Sequence, residues 1–411
     1  MIRPSTEVWF PNQFPRINHC GDLTLHTMGK PRESARQISA SVSRRSFEYN
    51  GACAMKKQGF TSYMSLMLEN WFGRGASELP PPIRISLLSQ GTIITTSLAL
   101  AAELGIADLL ADGPRSSEEL AQATYTHPRS LYRLLRLLCS VGVFNEIETD
   151  SFVQTPLSEC LRSGVPGSMR SWLRMIRLKT GYHTHAEALY SVKTGEPAFK
   201  RVTGMEFFDY FAAHPDEGEI FNQAMNDMGQ IVAAAVAQSY DFSGIGKIID
   251  VGGGHGTLIA AILQKYPQMT GILFDSPHVA ERARESIASA NLAHRCEVVG
   301  GDFFKSVPAG CDAYLLRWII HNWDHERAVT LLRNCRQAMG ERSRLLLIES
   351  VIPTGNGLHP GKFLDYIMLT TQRGQERTEE EYDSLLREAD LRLNKVTPTG
   401  SHLSVIEVVP G

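Results

Sequence analysis

Residues 248–256 read IIDVGGGHG, an apolar run that ends in closely spaced glycines. A helical pattern follows from Thr257 to Lys265. This order is typical of a buried parallel strand, a tight turn and the start of a helix. Gly252, Gly254 and Gly256 can adopt positive φ angles, and they let backbone N–H groups approach a ligand closely. The stretch therefore predicts a ligand-binding turn at the end of a strand.

A second predicted strand, 271–275, ends in an acidic residue, Asp275. An acidic side chain placed roughly 20 residues beyond such a glycine turn can accept hydrogen bonds from ribose hydroxyls. The pattern predicts a nucleoside cofactor, and at this point both NAD and S-adenosylmethionine fit it.

Composition excludes several classes of protein. The chain has 411 residues, of which 43% are hydrophobic and 21% charged, with a formal net charge of -3. These values are typical of a globular protein and give no electrostatic reason to expect a nucleic-acid partner. The most apolar stretch, 93–110, is interrupted by Glu103 and Asp108, so we interpret it as a buried helix and expect no membrane partner. Seven scattered cysteines without a C-x-x-C pair indicate a reducing, cytoplasmic location.

The N-terminal half divides into three predicted parts. Residues 1–62 are rich in Ser, Arg, Asn and Pro and lack apolar periodicity, which predicts a disordered extension. Residues 83–165 contain helical patterns over 83–110, 116–123 and 129–141 and a hairpin over 143–154. The last two helices and the hairpin indicate a winged helix. Its function is either DNA binding or a dimerising scaffold, and the acidic residues that flank its arginines favour the scaffold.

Residues 166–243 are predicted to be helical and are rich in aromatic residues and methionine. At helical spacing such residues usually form a core. Because this region directly precedes the glycine strand, some of it should cover the ligand site. Met225 and Met228 are the candidate substrate contacts here, since methionine suits an adaptable apolar pocket.

Residues 244–411 alternate strands and helices, which predicts a doubly wound, mainly parallel α/β sheet. The predicted strands are 247–251, 271–275, 295–299, 312–316, 344–349, 391–397 and 403–409. Ligands bind beyond the carboxyl ends of such strands. Asp302 with Phe303, Arg317 with His321, and Glu349 all follow strands in this way.

The sharpest of these features is the segment 317–324, RWIIHNWD. His321 has an ordinary pKa of about 6.5, which suits a base near neutral pH. Glu349 ends the next strand and could hold the imidazole in one tautomer, as acidic partners do in catalytic triads. Asp302 could bind an adenine amine while Phe303 packs on its face.

The chain resembles the class I S-adenosylmethionine-dependent O-methyltransferases of the caffeic acid and hydroxyindole type. The resemblance rests on DVGGGHGTL (250–258), FDSPHV (274–279), GDFF (301–304), LLRWIIHNWDHERAVTLLRNC (315–335) and FLDYIMLTTQRGQERTEEEYDSLLREADL (363–391). It covers the chain from about Ile83 onward. Asn322 and Arg317 depart from the family pattern, in which an acidic residue and a lysine are common.

The resemblance implies a Rossmann-like catalytic domain over 244–411, a winged-helix dimerisation domain and a homodimer. It implies transfer of a methyl group to a hydroxyl, usually phenolic, of a small molecule in secondary metabolism, without a metal. His321 would be the base, with Glu349 and Glu376 beside it, and Met368 is a further candidate substrate contact. Residues expected at the cofactor are Gly252, Asp275, Asp302, Phe303 and Arg317.

Three alternatives remain open from the sequence. An NAD-dependent dehydrogenase fits the glycine turn, and a transcriptional regulator fits the winged helix. Some relatives of the resembled family bind S-adenosylmethionine but catalyse another reaction, such as hydroxylation or decarboxylation.

Overall fold

The structure is a computed structural model that describes residues 79–411. The prediction of a disordered extension over residues 1–62 lies outside the described residues.

The first described region is helical, as predicted, but it is not one continuous helix. Helices α1 (Pro81–Leu88), α2 (Gly91–Leu104) and α3 (Ile106–Leu109) follow each other. The second break falls at Gly105, which has a φ of 65° and ends α2 in the left-handed conformation. By length and composition alone, Pro81–Leu104 could cross a membrane, but one such stretch is weak evidence of a membrane span. One face of α2 packs in the protein core.

The predicted winged helix is present. Helices α4 (Ser117–Thr124) and α5 (Pro128–Ser140) precede an antiparallel hairpin of β1 (Phe144–Glu148) and β2 (Ser151–Gln154). Ser116 and Glu119 form a capping box at the start of α4: the Glu119 N–H donates to Ser116 Oγ at 3.2 Å, and the Ser116 N–H donates to Glu119 Oε2 at 2.7 Å. Helix α5 buries a leucine stripe against the hairpin, namely Leu131, Leu135 and Leu138.

Short helices and one long helix lead to the sheet. They are α6 (Pro156–Glu159), α7 (Arg170–Ile176), α8 (Lys179–Ala186), α9 (Ala188–Thr194), α10 (Ala198–Thr203), α11 (Phe207–Ala213) and α12 (Pro215–Ser239). The predicted helical character of this region is confirmed. Helix α12 packs on α7, and its Val232, Ala233 and Val236 join an apolar core beside the sheet.

The sheet has seven strands in the order β5-β4-β3-β6-β7-β9-β8. The strands are β3 (Lys247–Val251), β4 (Thr270–Asp275), β5 (Cys296–Gly300), β6 (Ala313–Arg317), β7 (Arg344–Glu349), β8 (Leu391–Pro398) and β9 (Ser404–Pro410). Each predicted strand lies within one residue of its observed bounds. The first five strands pair in parallel, while β9 is antiparallel to both β7 and β8. The predicted doubly wound, mainly parallel sheet is confirmed.

Helices cover both faces of this sheet and build two apolar cores. They are α13 (Thr257–Lys265), α14 (Pro277–Ser289), α15 (His325–Ala338) and, after α16 (Pro360–Thr371), α17 (Glu379–Arg387). Helix α16 itself packs on the short helices α8, α9 and α10. Buried strands with apolar side chains on both faces explain the near-continuous apolar runs of the sequence. The chain order reverses between β4 and β6 on either side of β3, so the carboxyl end of β3 is a topological switch point where ligands bind.

Replacing Leu135 with alanine should destabilise the winged-helix region. Leu135 is 0% exposed within the core of α5 and the hairpin, so truncation removes buried apolar area and leaves a cavity. We expect a loss of about 2–5 kcal/mol in the free energy of unfolding, measured by urea denaturation at one fixed protein concentration. Leu157→Ala is the matched control, because Leu157 is 57% exposed and its truncation should cost less than about 0.5 kcal/mol. Equal losses in the two variants would contradict the assigned core.

Candidate active site

The glycine turn after β3 has the predicted conformation. Gly252, Gly254 and Gly256 have φ angles of 72°, 58° and 80°. The Gly252 N–H donates to the Phe274 carbonyl at 2.8 Å, which ties the turn to β4. A Cβ at Gly252 would lie 2.5 Å from Ile319 Cδ1, whereas one at Gly254 would meet nothing within 4 Å. The turn is therefore packed on one side and open on the other.

Asp275, at the end of β4, stabilises this turn. Its Oδ2 accepts a hydrogen bond from the Gly254 N–H at 2.9 Å, and its Oδ1 accepts one from the Ser276 N–H at 2.7 Å. A carboxylate oxygen has two lone pairs, so acceptor capacity remains for ribose hydroxyls beside the open face of the turn. These observations fit a bound nucleoside.

Asp250 is a residue that the sequence analysis did not single out. It lies inside β3, is fully buried beneath the turn, and its Cγ would contact a Cβ at Gly253 at 2.9 Å. The pKa of Asp250 is raised to about 6. Burial is the main cause, the charge of Arg317 opposes it, and the charge of Asp275 adds to it. A charged residue in an otherwise apolar buried strand was the available signal.

Arg317, at the end of β6, lies under the site. Its Nη1 is 2.8 Å from the position that a Cβ of Gly229 would occupy, so helix α12 closes over the guanidinium. Burial lowers the pKa of Arg317, although the charges of Asp250 and Glu349 favour its charged form. Direct contact between Arg317 and the cofactor stays a prediction.

Phe303 and Asp302 lie beside the glycine turn, but they differ in burial. Phe303 Cε1 is 3.6 Å from the position of a Gly252 Cβ, so its ring borders the turn. Asp302 is half-exposed, and its Oδ1 accepts a hydrogen bond from the Phe304 N–H at 2.9 Å. Lys305 Nζ lies 3.8 Å from the Asp302 Oδ2 and forms a weak surface ion pair with it. An adenine amine bound at this oxygen would therefore have Lys305 as a neighbour.

His321 sits in a short 3₁₀ helix, Ile320–Asn322, directly beyond β6. The chain turns sharply before it, because Trp318 has a φ of 55°, unusual for a bulky residue. His321 is 5% exposed. Its Nδ1 lies 2.6 Å from Glu376 Oε1. Since an ionised carboxylate can only accept, Nδ1 carries the hydrogen, and the lone pair of Nε2 is available to accept a proton.

Glu349 lies beside His321, as the resemblance implies, but its hydrogen bonds go to the backbone and not to the imidazole. Its Oε1 accepts hydrogen bonds from the backbone N–H groups of Ile319 and Ile320, at 3.0 and 2.9 Å. Its Oε2 is 3.8 Å from His321 Nδ1, beyond hydrogen-bond distance. Glu349 therefore holds the backbone that carries His321, while Glu376 orients the imidazole. This division depends on a loop that meets the base 55 positions further along the chain, which strand-end reasoning alone does not reveal.

Two further residues that the sequence analysis missed place Glu376. The Glu376 N–H donates to Asp365 Oδ1 at 2.9 Å, which fastens the loop to α16. Gly374 packs against the His321 backbone so closely that a Cβ there would lie 1.8 Å from the His321 carbonyl oxygen. The only available signal for either residue was its place within the 363–391 segment.

The two glutamates control the protonation of His321. Burial is the largest single influence on the pKa of His321 and lowers it, but Glu349 and Glu376 together outweigh burial and raise it. Burial also raises the pKa of Glu349 to about 7, with Glu376 adding to the shift. Protonation of His321 and protonation of Glu349 are therefore linked near neutral pH.

The same three side chains each offer one atom of a type that binds metals, and these atoms lie within 4.8 Å of one another. The 2.6 Å separation of Nδ1 and Oε1 is a hydrogen-bond distance. Two ligands on one zinc ion, with bonds of about 2.0–2.2 Å in tetrahedral geometry, would be more than about 3 Å apart. Nδ1 and Oε1 are therefore too close to bind one zinc ion together, and they share a hydrogen bond instead.

The candidate substrate methionines occupy different environments. Met225 and Met228 are half-buried on α12. The Thr257 hydroxyl donates to Asn226 Oδ1 at 3.0 Å, which links this part of α12 to the helix that follows the glycine turn. Met368 on α16 is buried, and its sulfur accepts a weak hydrogen bond from Gln372.

Comparison with known families decides the identity. Residues 183–392 match the O-methyltransferase domain, and residues 86–164 match the O-methyltransferase dimerisation domain. The chain belongs to the S-adenosylmethionine-dependent O-methyltransferases. The enzyme therefore uses S-adenosylmethionine, which settles the choice of nucleoside left open by the glycine turn, and the dimerisation domain is the winged-helix region.

Individual relatives share most of their length with this O-methyltransferase. It is 45% identical over 320 residues to a phenazine O-methyltransferase, PhzM, of Lysobacter antibioticus, an alignment that covers 78% of this chain and 94% of the relative. The crystal structure of LaPhzM matches with a TM-score of 0.76 at 43% identity, covering 81% of this chain and all of that one. NcsB1, an O-methyltransferase from neocarzinostatin biosynthesis, was crystallised with S-adenosylmethionine and 2-hydroxy-5-methyl naphthoic acid. It matches with a TM-score of 0.66 at 31% identity, covering 77% of this chain and 96% of that one.

Replacing Gly252 with alanine should weaken cofactor binding. The substitution strains a backbone at φ 72° and also displaces Ile319, which packs on the turn. We expect at least about a tenfold loss of affinity for S-adenosylhomocysteine by calorimetry. Gly310→Ala is the matched control: its φ is 84°, but a Cβ there would meet nothing within 4 Å. That variant should lose some stability and keep its affinity. A similar loss of affinity in both variants would contradict the role of the turn.

The pH dependence of turnover should follow His321. A base acts when it is unprotonated, so activity is present above its folded-state pKa and is lost as pH falls through it. Because the glutamates raise that pKa, the acidic limb of kcat/KM should lie above pH ~6.5.

Replacing Glu376 with glutamine removes one of the charges that raise the pKa. The acidic limb should move to lower pH, and the plateau should fall about tenfold or more as the imidazole loses its orientation. Glu388→Gln is the control, because Glu388 pairs with the exposed His325 at 3.1 Å. An acidic limb that stays in place in Glu376→Gln would show that another group titrates.

Proposed function

We propose that the enzyme transfers the methyl group of S-adenosylmethionine to a phenolic hydroxyl of a small aromatic molecule, with His321 as the general base. The observation that carries the proposal is the buried hydrogen bond between His321 Nδ1 and Glu376 Oε1 at the carboxyl edge of the sheet. It presents a single unprotonated nitrogen, Nε2, beside the cofactor turn.

S-adenosylmethionine supplies an electrophilic sulfonium methyl group, so the protein must mainly align the reacting atoms and accept one proton. A phenol has a pKa of about 10 and is mostly protonated at neutral pH. His321 Nε2 accepts that proton as the oxygen attacks, a contribution worth roughly 10² to 10⁴ in rate. Glu376 stabilises the imidazolium that forms, and Glu349 holds the 3₁₀ helix in place through Ile319 and Ile320.

The residues assigned to the cofactor support this orientation. Gly252 and Asp275 would hold the nucleoside at the open face of the turn, with Phe303 beside it and Asp302 at the outer edge. Arg317 lies beneath them, where its charge balances Asp250 and Glu349. The roof of the pocket would come from α12, through Met225 and Met228, with Met368 behind it.

An aromatic acceptor is supported by a cluster of rings around Trp323, two positions after His321. Phe208 of α11 lies 6.2 Å from Trp323 between ring centres, and Trp323 packs edge-on against Phe304 at 4.8 Å. Such rings favour flat apolar ligands. The names of the relatives, a phenazine O-methyltransferase and a naphthoate-bound enzyme, point the same way.

We also propose a homodimer in the cytoplasm. The dimerisation domain supports the homodimer. Exposed apolar side chains on α1 and α2 support it further, because Ile83, Ile85 and Ile93 are each about half or more exposed. The cysteines described by the structure are unpaired, which suits a reducing compartment.

Label transfer tests the reaction and the base together. Purified enzyme is incubated with methyl-labelled S-adenosylmethionine and a panel of phenols, hydroxyphenazines and hydroxynaphthoates, beside two histidine variants. His321→Ala should reduce labelled product at least about 10²-fold while leaving cofactor affinity nearly unchanged.

His325→Ala is the control, since His325 lies four positions further on and is exposed. It should retain full activity. Turnover by His321→Ala at the wild-type rate would refute the base, and an acceptor that is altered without gaining label would indicate another reaction.

A further inference from the structure

Arg377 is the largest fully buried side chain among the described residues, and the proposed reaction does not yet use it. It is 1% exposed and directly follows Glu376. Its Nη1 donates to the Gln375 carbonyl at 3.2 Å, while its Nη2 is buried without a hydrogen-bond partner in residues 79–411. A buried cation is costly unless nearby charges compensate it. The position therefore needs an electrostatic reason.

The backbone of Arg377 is held firmly under the base. It forms a parallel bridge with Val351, and the Ile352 N–H donates to the Arg377 carbonyl at 2.9 Å. Thr378 then begins α17 with a capping box closed by Glu381. The segment thus continues the sheet just beyond Glu349, and the buried charge of Arg377 acts on His321, Asp365 and Tyr382.

The charges around His321 come from several elements. Glu349 belongs to β7, and Glu376 and Arg377 belong to the loop before α17. His402, in the turn between β8 and β9, also interacts with His321, but burial lowers its pKa, so it is neutral near pH 7. Arg377 carries a positive charge that favours the neutral form of His321.

A second ring of groups faces the glutamates. Tyr382 on α17 is fully buried, and its pKa is raised well above its usual value by burial and then by Glu349 and Glu376, so it stays neutral. Asp365 on α16 accepts from the Glu376 N–H, and burial raises its pKa. His359 also acts on Glu376, and burial lowers its pKa. Arg317 acts on Glu349 from the other side.

We propose that Arg377 is a positioning residue that tunes the base: its buried positive charge offsets part of the pull of the two glutamates on the His321 proton. The inference rests on the proposed role of His321. Two buried carboxylates beside one imidazole strongly favour its protonated form, which cannot accept a proton from a phenol. A fixed cation next to them offsets part of this attraction. The pair of glutamates then stabilises the imidazolium after transfer without trapping it before transfer.

Substitutions that remove or keep the charge test the inference. Arg377→Gln removes the charge and retains a donor for the Gln375 carbonyl, and Arg377→Met removes both. Arg377→Lys keeps the charge. The neutral variants should move the acidic limb of kcat/KM to higher pH by about one unit, and Arg377→Lys should stay near the wild-type position.

Arg387→Gln is the matched control, since Arg387 lies on α17 with a side chain that is 73% exposed. It should leave the profile unchanged. A purely structural role would lower activity in every Arg377 variant without moving the acidic limb, and that result would overturn the inference.

A direct titration separates this inference from the proposed function. Nitrogen-15 NMR of histidine-labelled enzyme, with His321 assigned by its absence in His321→Ala, measures the pKa of His321 without turnover. A higher pKa in Arg377→Gln, restored in Arg377→Lys, supports the inference even if no acceptor is methylated. An unchanged pKa in a folded neutral variant refutes it. If both neutral variants fail to fold, Arg377→Lys alone tests the inference. A pKa of His321 that is clearly higher in Arg377→Lys than in the wild type would equally refute it.

Discussion

The hydrogen bond between His321 and Glu376 is the contact on which the site depends. It is buried, so little water competes for it and the charges around it act strongly. It also joins two segments that are remote in the chain, one after β6 and one before α17. Bringing them to 2.6 Å requires several supports. These are the open sheet beneath, the hydrogen bonds from backbone N–H groups to Glu349, the hydrogen bond from the Glu376 N–H to Asp365 on α16, and a glycine at 374.

The cofactor turn and the base are linked through buried charges. Asp250 lies beneath the glycine turn, Glu349 lies beneath the base, and Arg317 interacts with both. Burying any one of these charges alone would cost desolvation free energy. The opposite charges of Arg317 and the two carboxylates offset part of that cost in a low-dielectric interior. With Arg377 at the far end, the same arrangement extends beyond Glu376. The buried charges of the cofactor turn and of the base therefore depend on one another.

The fold was largely predictable because its signals are local. Alternating strands and helices, the spaced glycines and the capping residues Ser116 and Glu119 each depend on neighbours within a few positions. Asp275 was predicted from its place after β4, and the structure adds that it also holds the Gly254 N–H. The backbone hydrogen bonds of Glu349 were not predicted, because position at a strand end does not reveal which donors a carboxylate meets. Asp250 was missed because it lies inside β3, where strand-end reasoning does not apply.

The sequence by itself determined the class of fold, the glycine turn, the histidine after β6 and, through family motifs, the chemistry. These features follow from periodicity, backbone conformational limits and residue type, all of which are written along the chain. Only the tertiary structure decided that Glu376 pairs with His321, that Glu349 holds backbone N–H groups, and that Arg377 lies buried beside them. Hydrogen bonds and charge interactions act over a few ångströms in space, so partners far apart in sequence become visible when the chain is folded.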